Sequence, residues 1–472
     1  MSLLDHFTPN VYVPFIFFYE ANKASNISKT SQLLKQSLSK TLSLYYPLAG
    51  KANDNLSIHC DDQGACYAVA SANCCLSDYL KQPILSTLLK FLPDVALTVL
   101  APGDHVLRVQ ETVFSCGGIA IGFLYTHTVF DGGALGAFIK TWATIARESI
   151  TEGADLSPNF SASSIFPQIS TESPLDLTFL NSILSRKGEF VVRRFGFDGS
   201  VISNLKAKAA SSGVQKPTRV EVVSAVLYKC IMSALEAKSG TKKSALVTNG
   251  VNLRRKAVPP FSDNWVGNFV WLVAMETQAE DKELCKFVHR MREALSPING
   301  EFVKSLQGEG GKETFCAYWK GRQESFSKAL AKGVEPIGFN SWCNAGLFDA
   351  DYGWGKPLWV PVVTFAIASP QIFIQLTDTR HGNGVEAWVV LDVEAMSLLE
   401  HDKELLSLAS VDPIVLCLPN GIEAWVVLEE EIMTLVEHDK ELISLASLYP
   451  SHLQISSVRS NLLSTMPSVV VY

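Results

Sequence analysis

His127 opens the run His127-Thr-Val-Phe-Asp131-Gly-Gly, between the nearly all-apolar stretch 118–126 and an apolar-periodic stretch that begins at Ala134. A tight glycine-containing turn at the end of a buried strand projects an imidazole into a cleft at fixed geometry. Near neutral pH that ring has the basicity to take a proton from an attacking hydroxyl and return it to a leaving group. Asp131, four positions on, has two readings: it orients the ring, or it turns away and pairs with a cation that braces the turn. HxxxD alone is a weak pattern. A single histidine beside an apolar strand is more often a hydrogen-bonded core residue than a catalyst.

Other chemistry-bearing groups are less organised. The ten cysteines are scattered and form no CxxC pair, so reduced thiols in the cytoplasm are expected rather than a disulfide framework. His59-Cys60-Asp61-Asp62 with Cys66 lacks the second, spaced ligand pair of a tetrahedral zinc site, and no metal is expected. The glycine-rich stretch 308–311 lacks the GK[ST] ending of a phosphate loop and reads as a surface loop. The formal net charge is -7, without a concentrated Lys/Arg block, which argues against nucleic-acid binding. The apolar run 11–19 is too short for a membrane span, contains Pro14 and reads as a buried strand.

The elements that must position His127 follow from periodicity. Leucines at 33, 34, 38 and 42 share one face of a helix over 31–44, which Pro47 stops. Alternating stretches within 53–70 suggest a hairpin, and 95–100 and 106–114 read as strands. Residues 118–126 form a strand covered on both faces, and 134–145 a helix. Residues 190–197 resume a strand and 201–210 a helix, while 211–217 is the best linker. A long helix over 218–237 opens at Thr218 with Glu221 three residues on, a capping box. Apolar residues make up 47% of the 472 and charged residues 18%, which suits two buried cores. The division expected is 1–204, a crossover linker 205–218, 219–410 and an extension 411–472, with the site between the two halves.

In its ordered motifs the chain resembles the plant BAHD acyltransferases, collinearly over nearly its whole length. HTVFD with Gly132 is similar to the family's HxxxD-G signature. Asp351-Tyr-Gly-Trp-Gly355, followed by Lys356-Pro357, is similar to DFGWG-K-P, with Tyr352 in place of Phe. Between them stand Thr218-Arg-Val-Glu-Val-Val, Val251-Asn-Leu-Arg-Arg-Lys with Pro259-Pro260, Gly267-Asn268-Phe269 and Ser341-Trp-Cys343.

The resemblance implies an α/β fold of two similar-sized halves, each a mixed sheet flanked by helices as in chloramphenicol acetyltransferase. It implies a monomer in which His127 acts as general base for direct attack of a hydroxyl on an acyl-CoA thioester, with no acyl-enzyme. Asp131 would then pair with Arg254 as an orienting residue. Asp351, Gly353, Trp354 and Gly355 would support the structure rather than touch reacting atoms. Asn340 stands where the family often has Thr, and its amide can donate to an oxyanion. The middle motifs point to the branch acetylating alkaloid or terpenoid alcohols, with acetyl-CoA as co-substrate. The runner-up reading is an inactive paralogue acting as a binding protein.

Two departures motivate that alternative. The strand that usually precedes Met1-Ser-Leu-Leu-Asp5 is absent from the sequence, and residues 383–410 recur as 420–447 with 21 of 28 positions identical at an offset of 37. The first copy is expected to fill the native place by pairing 372–377. The second would build a hairpin from 414–418 onto an exposed edge.

Overall fold

A computed structural model describes residues 1–23, 26–53, 57–81, 83, 85–93, 100–147, 156–168, 188–278, 281–363, 371–418 and 455–457. Their order is β1 (Tyr12–Tyr19), helix α1 (Ile27–Leu44), β2 (Lys51–Ala52), β3 (Ile58–His59), β4 (Cys66–Ala72), β5 (Leu107–Phe114), β6 (Ile119–Thr126) and helix α2 (Gly132–Ala146). Next come β7 (Phe190–Phe197), α3 (Gly199–Ser211), α4 (Arg219–Ser239), β8 (Ala245–Asn252), β9 (Val270–Thr277), α5 (Leu284–Leu295) and α6 (Gly311–Ala331). The chain continues through β10 (Glu335–Ser341), β11 (Phe373–Asp378), β12 (Val385–Asp392), α7 (Val393–Glu400), β13 (Ser410–Leu418) and β14 (Ile455–Ser457).

Two sheets carry the architecture, one in the order β1-β6-β5-β4-β14 and one in the order β13-β7-β12-β11-β10-β8-β9. Every residue of β6 is buried, because α1 and α2 cover one face of its sheet and the segment around Phe91 covers the other. Trp142 of α2 ties the two helices together: its indole N–H reaches Ser37 Oγ at 3.0 Å. Pro14 sits in β1, the outermost strand of its sheet, where the missing N–H costs least. Helix α4 starts at a capping box in which Glu221 N donates to Thr218 Oγ1 at 3.2 Å and Thr218 N donates to the Glu221 carboxylate at 2.7 Å. Gly240 ends it in the left-handed conformation.

Sheet membership divides the chain differently from the boundary expected at 205–218. β7 runs antiparallel to β12 along its full length and to β13 on its other edge, so Phe190–Phe197 lies in the second sheet. The first part of the expected linker is α3. In return, the backbone of Leu358 and Trp359 hydrogen-bonds to Phe18 of β1, which lays a segment of the second half against the first sheet. Periodicity identifies a strand but not its partner.

The expected hairpin within 53–70 is also replaced. β3 pairs with β2, and β4 runs parallel to β5. The strand expected at 95–100 lies outside the described residues but for Leu100. The first repeat copy supplies β12, which pairs antiparallel with β11. β13, beyond it, pairs with β7 across a register break between Asp412 and Leu416. The second copy, 420–447, lies outside the described residues. No described helix is long and apolar enough to cross a membrane.

Candidate active site

His127 follows β6 directly. Its backbone N–H donates to Val11 O at 2.9 Å, and its carbonyl oxygen accepts from Asn268 Nδ2 at 2.8 Å and Thr8 Oγ1 at 3.4 Å. The main chain is thereby tied both to the N-terminal segment and to the second half. The half-buried ring lines a cleft of about 940 Å³ between α2 on one side and β8, β9 and β10 on the other. Burial lowers the pKa of the imidazole from its ordinary 6.5; its own backbone, the Asp131 charge and the Asn268 side chain act in the opposite direction. Desolvation dominates, so the neutral ring is favoured.

Asp131 does not reach toward the reacting side of the ring. It caps α2, with Oδ1 accepting from Ala134 N at 2.9 Å. Its Oδ2 accepts from Phe269 N at 2.8 Å and from Arg254 Nη1 at 2.5 Å. Arg254 is fully buried. Its Nη2 donates to the carbonyls of Trp265 and Gly267, and its guanidinium lies 4.3 Å from the centre of the Phe269 ring. Of the two readings open for Asp131, the geometry matches the brace: one carboxylate caps a helix of the first half and holds a cation and an amide of the second.

Asn340 lies at the end of β10 among the cleft-lining residues. Its Nδ2 donates one N–H to Gln375 Oε1 at 3.0 Å, and its Oδ1 accepts from Ser341 N at 3.0 Å. An amide nitrogen has two hydrogens, and the Gln375 contact uses one of them. Beyond it, the Trp342 ring packs 4.7 Å from that of Phe15, which again joins the halves. Cys343 also lines the cleft, but burial pushes its thiol up to about 11, which leaves it protonated and a poor nucleophile.

The 342–346 loop sits so close to α2 that a Cβ at Gly136 would fall 2.1 Å from Ala345 O. Gly136→Ala is therefore expected to push the loop off the helix, costing about 1–3 kcal/mol and lowering the thermal unfolding midpoint. A midpoint equal to that of the wild type would show that the loop yields without cost.

The Asp351–Gly355 turn stands outside the set of cleft-lining residues. Asp351 Oδ1 accepts from Gly353 N and Gly355 N, each at 2.9 Å, and both glycines have φ near +110° (109° and 111°), a conformation open to glycine. Tyr352 is buried edge-on to Trp142 of α2 at 4.9 Å and stacks on Trp354 at 5.7 Å. The turn is thus a clasp on the first half. Lys140, Arg147 and Arg255 are exposed where they line the cleft. Lys256, the neighbour of Arg255, lies outside that lining. Among the described residues no cluster of three or more His, Cys, Asp or Glu is placed to hold a metal.

Sequence reasoning passed over two contributors. Asp5 is buried, with Oδ2 accepting from Ser2 N and Oγ and Oδ1 accepting from Asn268 N at 2.7 Å. Asn268 links that carboxylate to His127 O. Both lay within quoted motifs, but no one-dimensional signal connects positions 263 residues apart.

The chain matches the Transferase family over residues 1–406. It is 42% identical to the epi-neemfruitin B 7-O-acetyltransferase of Melia azedarach over 430 residues, covering 88% of this chain and 94% of that protein. It is also 42% identical to the limonoid 7-O-acetyltransferase of Citrus sinensis over 441 residues, with the same coverage. The crystal structure of vinorine synthase superposes with a TM-score of 0.71 at 32% identity, covering 87% of this chain and 94% of that one. Matched in sequence and in fold across both halves, the chain belongs to the Transferase family of BAHD acyltransferases.

Proposed function

We propose that this protein is an acyl-CoA-dependent O-acetyltransferase that moves acetyl from acetyl-CoA to a hydroxyl of a plant terpenoid or alkaloid alcohol. The observation that carries the reading is the His127 ring, neutral by burial and facing a cleft that both halves line. The activities named for the similar epi-neemfruitin B and limonoid 7-O-acetyltransferases support the acetyl group and the alcohol class. A cleft of about 940 Å³ is in the range that holds a drug-sized ligand, about 300–1,000 Å³.

The chemistry balances with residues on hand. His127 takes the hydroxyl proton as the alcohol oxygen forms its bond to the thioester carbonyl carbon. The free N–H of Asn340 donates to the oxyanion where charge develops. Collapse breaks the C–S bond, and the imidazolium returns the proton to the departing thiolate. No acyl-enzyme is needed, in keeping with a cleft cysteine held protonated. The protein works as a cytoplasmic monomer.

Thiol release from acetyl-CoA in the presence of a panel of terpenoid and alkaloid alcohols tests the proposal. Turnover is expected with at least one alcohol, and kcat/KM should fall as pH drops through the imidazole pKa, at an acid limb below 6.5. The direction follows from the base being active only when unprotonated. An acid limb above 6.5, or thiol release that no alcohol stimulates, would refute it. The open cleft at His127 weighs against the inactive-paralogue alternative.

A further inference from the structure

His127 has a second ring nitrogen, and the surroundings of that atom specify what it does. Nδ1 of His127 and Oδ1 of Asn268 are both buried, and neither has a hydrogen-bond partner by strict geometry. The amide of Asn268 cannot be turned over, because its Nδ2 is committed to two acceptors: His127 O at 2.8 Å and Asp5 Oδ1 at 3.2 Å. Asp5 also holds the Asn268 backbone N–H at 2.7 Å and is itself held by Ser2. Oxygen and nitrogen of a side-chain amide are assigned from such a network, and this one leaves Oδ1 as the uncommitted acceptor of an amide already bonded to the backbone carbonyl of His127. The carbonyl of His127, a competing acceptor, already receives Asn268 Nδ2 and Thr8 Oγ1.

The geometry points to Asn268 as a positioning residue, whose side-chain oxygen accepts the Nδ1–H of His127 and so leaves the lone pair on Nε2 facing the cleft. A buried orphan donor and a buried orphan acceptor each cost free energy alone and relieve that cost together. The tautomer then follows from the hydrogen bond made by the other nitrogen. Against the lowering by burial, the ring's own backbone, then the Asp131 charge and last the Asn268 side chain raise the pKa of His127. Ser2, Asp5 and Asn268 form a chain from the N-terminal segment to the base, and it crosses between the halves. The inference deepens the general-base reading of His127 and rests on it for its catalytic meaning.

Selective 15N-histidine labelling reads the tautomer without turnover, with the His127→Ala protein identifying the signal. In the wild type, His127 is expected to show a protonated, pyrrole-type Nδ1 and a pyridine-type Nε2. Asn268→Ala should give mixed tautomers and lower kcat on the order of 10²-fold with KM for acetyl-CoA unchanged. A pyridine-type Nδ1 in the wild type overturns the inference, and this spectrum decides the matter if Asn268→Ala fails to fold. A folded Asn268→Ala protein with an unchanged tautomer overturns it as well. If Nδ1 proves protonated while His127→Ala retains turnover, the general-base reading fails and the tautomer assignment stands.

Discussion

His127→Ala is expected to lower kcat for acetyl transfer by about 10²–10⁴-fold while KM for acetyl-CoA stays within about twofold. The size follows from the role. Without a base, only the small alkoxide fraction of the alcohol attacks, so the residual rate should climb with pH where the wild-type rate has levelled off. The selectivity for kcat follows from the position of the ring at the boundary of the cleft, while Lys140, Arg147 and Arg255 line other parts of it. The backbone of residue 127 holds its contacts to Val11, Asn268 and Thr8 whatever its side chain, so folding should survive. Steady-state kinetics with circular dichroism as control makes the comparison. A folded variant with kcat within threefold (about 0.65 kcal/mol) of the wild type would remove His127 from the chemistry.

Arg254→Met is expected to cost about 3–5 kcal/mol, because it strands the Asp131 carboxylate in the interior with its charge uncompensated. Asp131 and Arg254 are 2% and 0% exposed, so water cannot replace the lost partner. At about 2–4 °C per kcal/mol for a cooperative unit of roughly 150–250 residues, the midpoint of the halves that the pair joins should drop by roughly 6–20 °C. Asp131→Asn/Arg254→Met should lose less than the single Arg254→Met change. The amide oxygen at 131 can still accept from one of Ala134 N and Phe269 N, which bond to different carboxylate oxygens, and no buried charge remains. Thermal unfolding of the wild type, both single variants and the double variant closes the cycle. A double variant no more stable than Arg254→Met would mean that the charge of Asp131 is not what the arginine compensates.

The local elements were legible wherever one pattern determined them. The all-apolar β6, the leucine face of α1 and the Thr218–Glu221 capping box read directly from spacing. Partnership was not legible. Phe190–Phe197 announces a strand, yet only the ladder places it between β12 and β13, and the parallel pairing of β4 with β5 left no mark in the alternation of residues 53–70. The site divides in the same way. His127 follows from its motif and Arg254 from a resemblance, but Asp5 and Asn268 act through contacts across 263 positions. Gly136 matters through a carbonyl 209 positions away (345 less 136), and nothing in its own surroundings in the sequence says so.

The most direct measurement is the distance from the acceptor hydroxyl oxygen to His127 Nε2 in a crystal structure of the protein with coenzyme A and the preferred alcohol bound. The account predicts about 2.6–3.2 Å, with the coenzyme A sulfur reaching the same oxygen through the cleft. An alcohol that sits elsewhere, beyond reach of His127 even through one water, would contradict it.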